Sequence, residues 1–238
     1  MPAKKKASGN GIHRRTWRTK KASNTRFRIL EATLDCLVEI GFTNTSIATI
    51  AAKAGLSRGA VQFHFPTKSA AMKAVTNHIL QRRLDVYRAD MAKIPASEDF
   101  LEHALNAYWK QVTRPEFIAQ QEIALAARTD VQLAEVLGTA YREYVARSRE
   151  PFLVEFPAWK ASRDRYEMSA NFAQYLIEGM AWGYTNRYLT DDAVLEMLAN
   201  LRAVVGTLLE GRPSELRRRR IVPRKRPPTA AAAFRRAR

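Results

Sequence analysis

Apolar positions recur at helical spacing along most of this chain, and no stretch alternates with the two-residue period of a strand. Residues 24–40, NTRFRILEATLDCLVEI, carry Phe27, Leu30, Leu34, Leu37 and Val38 on one face, with Arg28, Glu31, Asp35 and Glu39 opposite. Gly41 then ends the helix. In 45–68, Ser46 is placed to cap a short helix whose inner side is Ile47, Ile50 and Ala51. Gly55 supplies the left-handed turn, and Ser57 caps a second short helix over 58–64. Pro66 stops that helix near Phe65. Val61, Phe65 and Leu56 point inward, which leaves Arg58, Gly59, Gln62 and Phe63 outside. The pattern predicts a helix-turn-helix covered by the preceding amphipathic helix. A plain αα-hairpin would share the same spacing.

Thr67 opens a long helix from Lys68 to about Met91. Beyond it the pattern predicts three further helices: from Ser97 and Glu98 to Thr113, from Pro115, and from the Thr129-Asp130 cap. Pro151, Pro157 and the polar run ASRDR predict a long connection. A helix over 165–189 bears two apolar stripes, and so needs cover on two sides. Met168, Phe172, Tyr175, Gly179 and Trp182 form one stripe; Leu176, Ile177, Met180, Tyr184 and Tyr188 form the other. A last helix, opened by Asp191, carries Val194, Leu195, Leu198, Leu201, Val205 and Leu208. The expected fold class is all-α, with an N-terminal three-helix DNA-binding domain joined to a helical body.

Charge changes the picture at the two ends. The net charge is +17, yet residues 1–28 hold ten Lys or Arg and no acid, and residues 212–238 hold eleven against Glu215 alone. Between 29 and 211 stand 19 basic and 22 acidic residues. The expected division is therefore a disordered basic arm (1–22), a DNA-binding domain (23–70), a body (71–211) and a disordered basic tail (212–238). No Asp or Glu occurs from Asn44 to His78, as suits a phosphate-facing surface. A lone cysteine, Cys36, excludes an internal disulfide or multi-cysteine zinc site and reads as a small buried side chain. There is no run of 18 apolar residues and no secretory h-region, so the expected compartment is the cytoplasm, with no membrane contact. The four histidines are scattered, and no nucleophile elbow, dinucleotide loop or Walker loop occurs. Catalytic residues, metals and cofactors are not expected.

The run GFTNTSIATIAAKAGLSRGAVQFHFPTKSAAM, preceded by RILEATLDCLVEI, resembles the N-terminal domain of TetR-family transcriptional regulators over about fifty residues. Gln62 stands where that family usually has an aromatic, and Ser69 where it usually has an acid. The resemblance implies a homodimeric repressor that binds a near-palindromic duplex operator and is released by a small lipophilic ligand. For DNA contact it points to Ser46, Ser57, Arg58, Gly59, Ala60, Gln62, Phe63, His64 and Lys68. Within these, Arg58 and Gln62 suit base edges, while Ser46, Ser57, His64 and Lys68 suit phosphates. The expected dimer residues are Phe172, Tyr175, Gly179, Trp182, Gly183, Leu198, Leu201 and Val205; the expected ligand liners are Trp109, Phe117 and Phe172. The competing reading is a non-specific nucleic-acid binder driven by the basic tails.

Overall fold

The computed structural model describes residues 10–93 and 99–211, and every regular element in them is helical. The chain divides into two compact units that meet in sequence at Val75 and Thr76.

The first unit holds α1 (Asn10–Asn44), α2 (Ile47–Ala54), α3 (Arg58–His64) and the start of α4 (Lys68–Met91). α1 bends at Gly41, whose φ of 74° and ψ of 172° lie in a region that essentially only glycine enters. Its inward face is Ile29, Leu30, Thr33, Leu34 and Leu37, all buried. Phe27, expected on that face, is half exposed, and Ile29 takes the inward place. The helix also runs back to Asn10, well before the expected start at residue 24. Once 29–40 is packed, each added residue needs only one further hydrogen bond, and no proline interrupts the stretch. The expected disorder of residues 1–9 and 212–238 lies outside the described residues. Cys36 is buried, and desolvation raises its thiol above the ordinary range. Ala71, Met72 and Val75 of α4 are buried too, so the unit boundary falls five residues beyond the expected 70.

The second unit continues α4 and adds α5 (Phe100–Val112), α6 (Pro115–Ala127), α7 (Val131–Glu155), α8 (Pro157–Ala161), α9 (Arg163–Thr185) and α10 (Asp191–Glu210). Asp99, rather than the expected Ser97, caps α5 by accepting from the Glu102 amide; residues 94–98 are not among those described. Pro115 takes the first position of α6, and Asp130 caps α7. The long connection expected around Pro151 is absent, because α7 runs through that residue to Glu155. Pro151 has no N–H for the Arg147 carbonyl, and Arg88 Nη2 donates to that carbonyl instead at 3.2 Å. Pro157 likewise starts α8 where its missing donor costs nothing.

The core of this unit joins α5 and α6 to the α9–α10 pair through Leu105, Val112, Phe117, Ile177, Met180, Leu198 and Leu201. A buried polar cluster lies beside it. Arg83, 1% exposed, sits between the rings of Phe117 and Tyr144 at 5.1 and 5.0 Å. Its Nε donates to Gln111 Oε1 at 3.2 Å and its Nη1 to Gln120 Oε1. Nearby, Glu178 accepts from the Tyr108 and Tyr141 hydroxyls at 2.7 and 2.8 Å. Burial pushes both phenols well above their usual range.

Candidate nucleic-acid interface and ligand cavity

Capping positions α2 and α3. Ser46 Oγ accepts the Thr49 amide at 3.1 Å, while Thr49 Oγ1 accepts the Ser46 amide at 2.7 Å, closing a capping box. The two hydroxyls also meet at 3.2 Å, so the Ser46 side chain is turned into its own cap rather than outward. Thr49, which the capping argument overlooked, was legible as a polar residue three places after Ser46. Gly55 adopts φ 62° and ψ 40°, ending α2 with its amide donating to the Ala51 and Ala52 carbonyls. Arg28, expected to be a surface residue of α1, closes the same end by donating from Nη2 to the Ala54 carbonyl at 2.7 Å. Ser57 Oγ accepts the Ala60 amide at 3.1 Å and so opens α3.

With both ends held, the buried side of α3 is Val61, with Phe65 just after it. Arg58, Gly59, Gln62 and Phe63 are exposed, as the spacing predicts, and Ala60 and His64 stand half-buried at the edges. Phe63 is 83% exposed and meets the His64 ring edge-on at 5.3 Å. A methyl group added at Gly59 would meet nothing within 4 Å. The protein's own packing therefore does not require glycine there; a close approach from outside would.

The basic residues around this surface differ in their commitments. Lys53 pairs with Glu39 at 2.6 Å, so part of its charge is answered within the unit. Lys68 Nζ donates to the Phe42 carbonyl at 2.6 Å and lies 4.2 Å from the centre of the Phe42 ring. Desolvation lowers its pKa below the ordinary lysine value. Two of its three N–H groups remain for another acceptor. Arg26, which the sequence reading did not single out, lies 5.2 Å from the Phe65 ring.

In the second unit the α9 stripe of Met168, Phe172, Tyr175 and Trp182 is exposed on the single chain. Gly179 lies within this stripe with open space where a side chain would be. The other four expected dimer residues are elsewhere. Leu198, Leu201 and Val205 are buried in the subunit's own core, and Gly183 packs against its own Leu189, 3.2 Å from where a Cβ would stand. Helical spacing marks which residues share a face, but α10 uses its most regular face for α9 and α5.

A cavity of about 110 Å³ opens among α4, α5, α7, α8, α9 and α10. None of the three expected liners borders it. Phe117 is core, Phe172 lies on the exposed stripe, and Trp109 meets Tyr184 edge-on at 5.5 Å. The cavity wall instead combines other aromatic residues, among them Tyr87, Tyr108, Phe152, Trp159 and Tyr166, with aliphatic ones such as Leu105, Ile177 and Leu209. Among the described residues no cluster of three His, Cys, Asp or Glu is placed to hold a metal, and no helix is long and apolar enough to cross a membrane.

These features define a class: an all-helical protein with a helix-turn-helix head followed by a helical body that contains a cavity. Residues 29–75 match the N-terminal domain of the bacterial regulatory proteins of the tetR family. An HTH-type transcriptional regulator of Mycobacterium tuberculosis, Rv2912c, is 33% identical over 120 residues, which are 50% of this chain and 62% of that protein. The HTH-type transcriptional regulator CymR of Pseudomonas putida is 28% identical over 122 residues, 51% of this chain and 60% of CymR. The chain thus spans about three-fifths of the length of these relatives. The fold is shared with Salmonella enterica GusR, with a TM-score of 0.58 at 23% identity over 79% of this chain and 96% of GusR. A TetR family regulator from Marinobacter aquaeolei shares it at a TM-score of 0.56 and 14% identity, over 81% and 97% of the two chains.

Proposed function

We propose that this protein is a sequence-specific, DNA-binding transcriptional regulator that works as a homodimer and is a repressor released by a small apolar or aromatic ligand. The observation that carries the reading is α3. It buries Val61, presents Arg58, Gly59, Gln62 and Phe63 to solvent, and lies in a stretch without any carboxylate from Asn44 to His78. In this reading α3 enters the major groove. Arg58 pairs with guanine and Gln62 with adenine, and Phe63 brings an apolar face to a thymine methyl. Ser57, His64 and Lys68 hold phosphates, Lys68 through the donors that Phe42 leaves over. Ser46 drops out of that set because its hydroxyl both accepts the Thr49 amide and pairs with Thr49 Oγ1, whereas Ser57 only accepts the Ala60 amide and keeps its proton for a phosphate.

One head reads few base pairs, so two are needed, about 34 Å apart on a near-palindrome. The exposed stripe around Phe172, Tyr175, Gly179 and Trp182 suits the joining surface: it is apolar, continuous along α9, and open at Gly179. Ligand binding in the second unit needs to favour one state by only about 1.4 kcal/mol to reduce occupancy tenfold. The regulators named among the relatives support the same class of function. The test is selection of bound sequences from random duplex DNA. Gln62→Ala is expected to relax the selected motif, and Lys68→Ala to weaken all sequences alike. Equal behaviour of the two variants would overturn the division between base and phosphate contacts.

A further inference from the structure

The cavity wall has one charged residue, Arg149, and no carboxylate. Arg149 is already answered: Nη1 donates to Glu167 at 2.5 Å, and Nη2 donates to Asn171 and Gln174 at 2.8 and 2.7 Å. Most hydroxyl protons on the wall are also spent inward. Tyr108 donates to Glu178 at 2.7 Å, Tyr144 to Gln111 at 3.0 Å, Ser148 to the Val145 carbonyl at 2.9 Å and Ser169 to the Arg165 carbonyl at 2.8 Å.

Tyr87 of α4 differs. It is 8% exposed and borders the cavity, and its ring is held edge-on to Tyr108 at 6.1 Å and against Phe152 at 6.0 Å. Among the described residues its hydroxyl has no hydrogen-bond partner, yet the oxygen is not sealed from open space. A buried tyrosine ordinarily finds an acceptor, so this O–H is an uncommitted donor on a wall whose remaining surface is mostly aromatic and aliphatic.

We infer that the cavity takes an uncharged, single-ring molecule carrying one hydrogen-bond acceptor, and that the Tyr87 hydroxyl selects it by donating to that acceptor. The wall offers a cation no carboxylate, and an anion would meet a guanidinium that Glu167 has already neutralised. Size sets the limit: the cavity of about 110 Å³ is smaller than the apolar cavity of about 150 Å³ that holds benzene, so no more than one ring enters without the wall giving way. This inference rests on the ligand-responsive reading above and gives that ligand a chemistry.

The experiment is calorimetric titration of the full chain, without DNA, with four matched probes. These are acetophenone (neutral acceptor), α-methylstyrene (same shape, methylene for oxygen), benzoate (anion) and benzylamine (cation). Acetophenone is expected to bind about tenfold tighter than α-methylstyrene, and both ions more weakly still. Tyr87→Phe is expected to bring acetophenone and α-methylstyrene close to parity, with its fold checked by circular dichroism. The ranking in the unmodified protein stands whether or not that variant folds. Preference for benzoate or benzylamine, no binding of any probe at its solubility limit, or an undiminished acetophenone preference in folded Tyr87→Phe would each overturn the inference. Acetophenone binding with the expected ranking but no release of DNA would uphold the cavity chemistry and refute the ligand-released repressor.

Discussion

Gly59 separates packing from recognition more cleanly than any other residue of the first unit. Its missing side chain faces open space within α3, so alanine there has room and has the better helix propensity. Gly59→Ala is therefore expected to leave the melting temperature unchanged or to raise stability by up to about 1 kcal/mol, while weakening binding to the selected operator. Thermal melting and a mobility-shift titration on the same preparation check it, and unimpaired DNA binding would remove Gly59 from the interface. Gly55 is the opposite case, since its φ of 62° is imposed by the turn itself. Both glycines are plain in the sequence, but only coordinates tell a glycine kept for its backbone angle from one kept for the space beside it. Ser46 teaches the same lesson. Its position marks a helix start, but whether its hydroxyl serves the helix or the DNA depends on Thr49, which turns it inward.

Among the helices, α7 departs furthest from expectation. Proline inside a helix removes one hydrogen bond and crowds the carbonyl four residues back, so ending α7 before Pro151 was the natural reading. The helix continues because Arg88 of α4, 59 residues earlier in sequence, supplies the donor that the Arg147 carbonyl lacks. Two variants test this account by chemical denaturation. Pro151→Ala restores the intrahelical bond and is expected to stabilise the second unit by about 1 kcal/mol or more. Arg88→Met is expected to destabilise the natural sequence by about 1 kcal/mol and to cost much less in the Pro151→Ala background. Additive effects would show that Arg88 does not substitute for the missing amide. The short helices α2 and α3, by contrast, match the predicted bounds, because their caps are local: serine before, glycine or proline after.

At the scale of the molecule, the α9–α10 pair has two faces in different surroundings. Its inner residues close the subunit core, and its outer stripe remains uncovered on the single chain. Trp182→Glu is expected to yield a folded monomer by sedimentation, since Trp182 is 53% exposed and its replacement disturbs no core contact. Leu198→Asp, in the buried set, is expected to lose the fold instead through an unpaired buried charge, at a cost of several kcal/mol. If Trp182→Glu remains a dimer, the joining surface lies elsewhere. The same scale distinguishes the tail-driven alternative, because a chain trimmed of 1–9 and 212–238 that keeps its sequence preference binds through α3 rather than through bulk charge.

The sequence by itself determined the all-helical class, the helix-turn-helix with its caps and turn, the outward face of α3, and the apolar pair at the end of the body. These follow from local rules: side-chain period, capping and the φ that glycine alone tolerates. Tertiary structure decided which of two apolar stripes faces the core, that Arg28 closes α2, that Arg88 rescues α7, and that Tyr87 rather than Trp109, Phe117 or Phe172 borders the cavity. Each of these joins residues far apart in sequence, or concerns space left between helices, and helical spacing records which residues share a face but not what that face meets. In the predicted recognition helix both kinds of information agree, because a short capped helix with one buried side leaves the other side facing out.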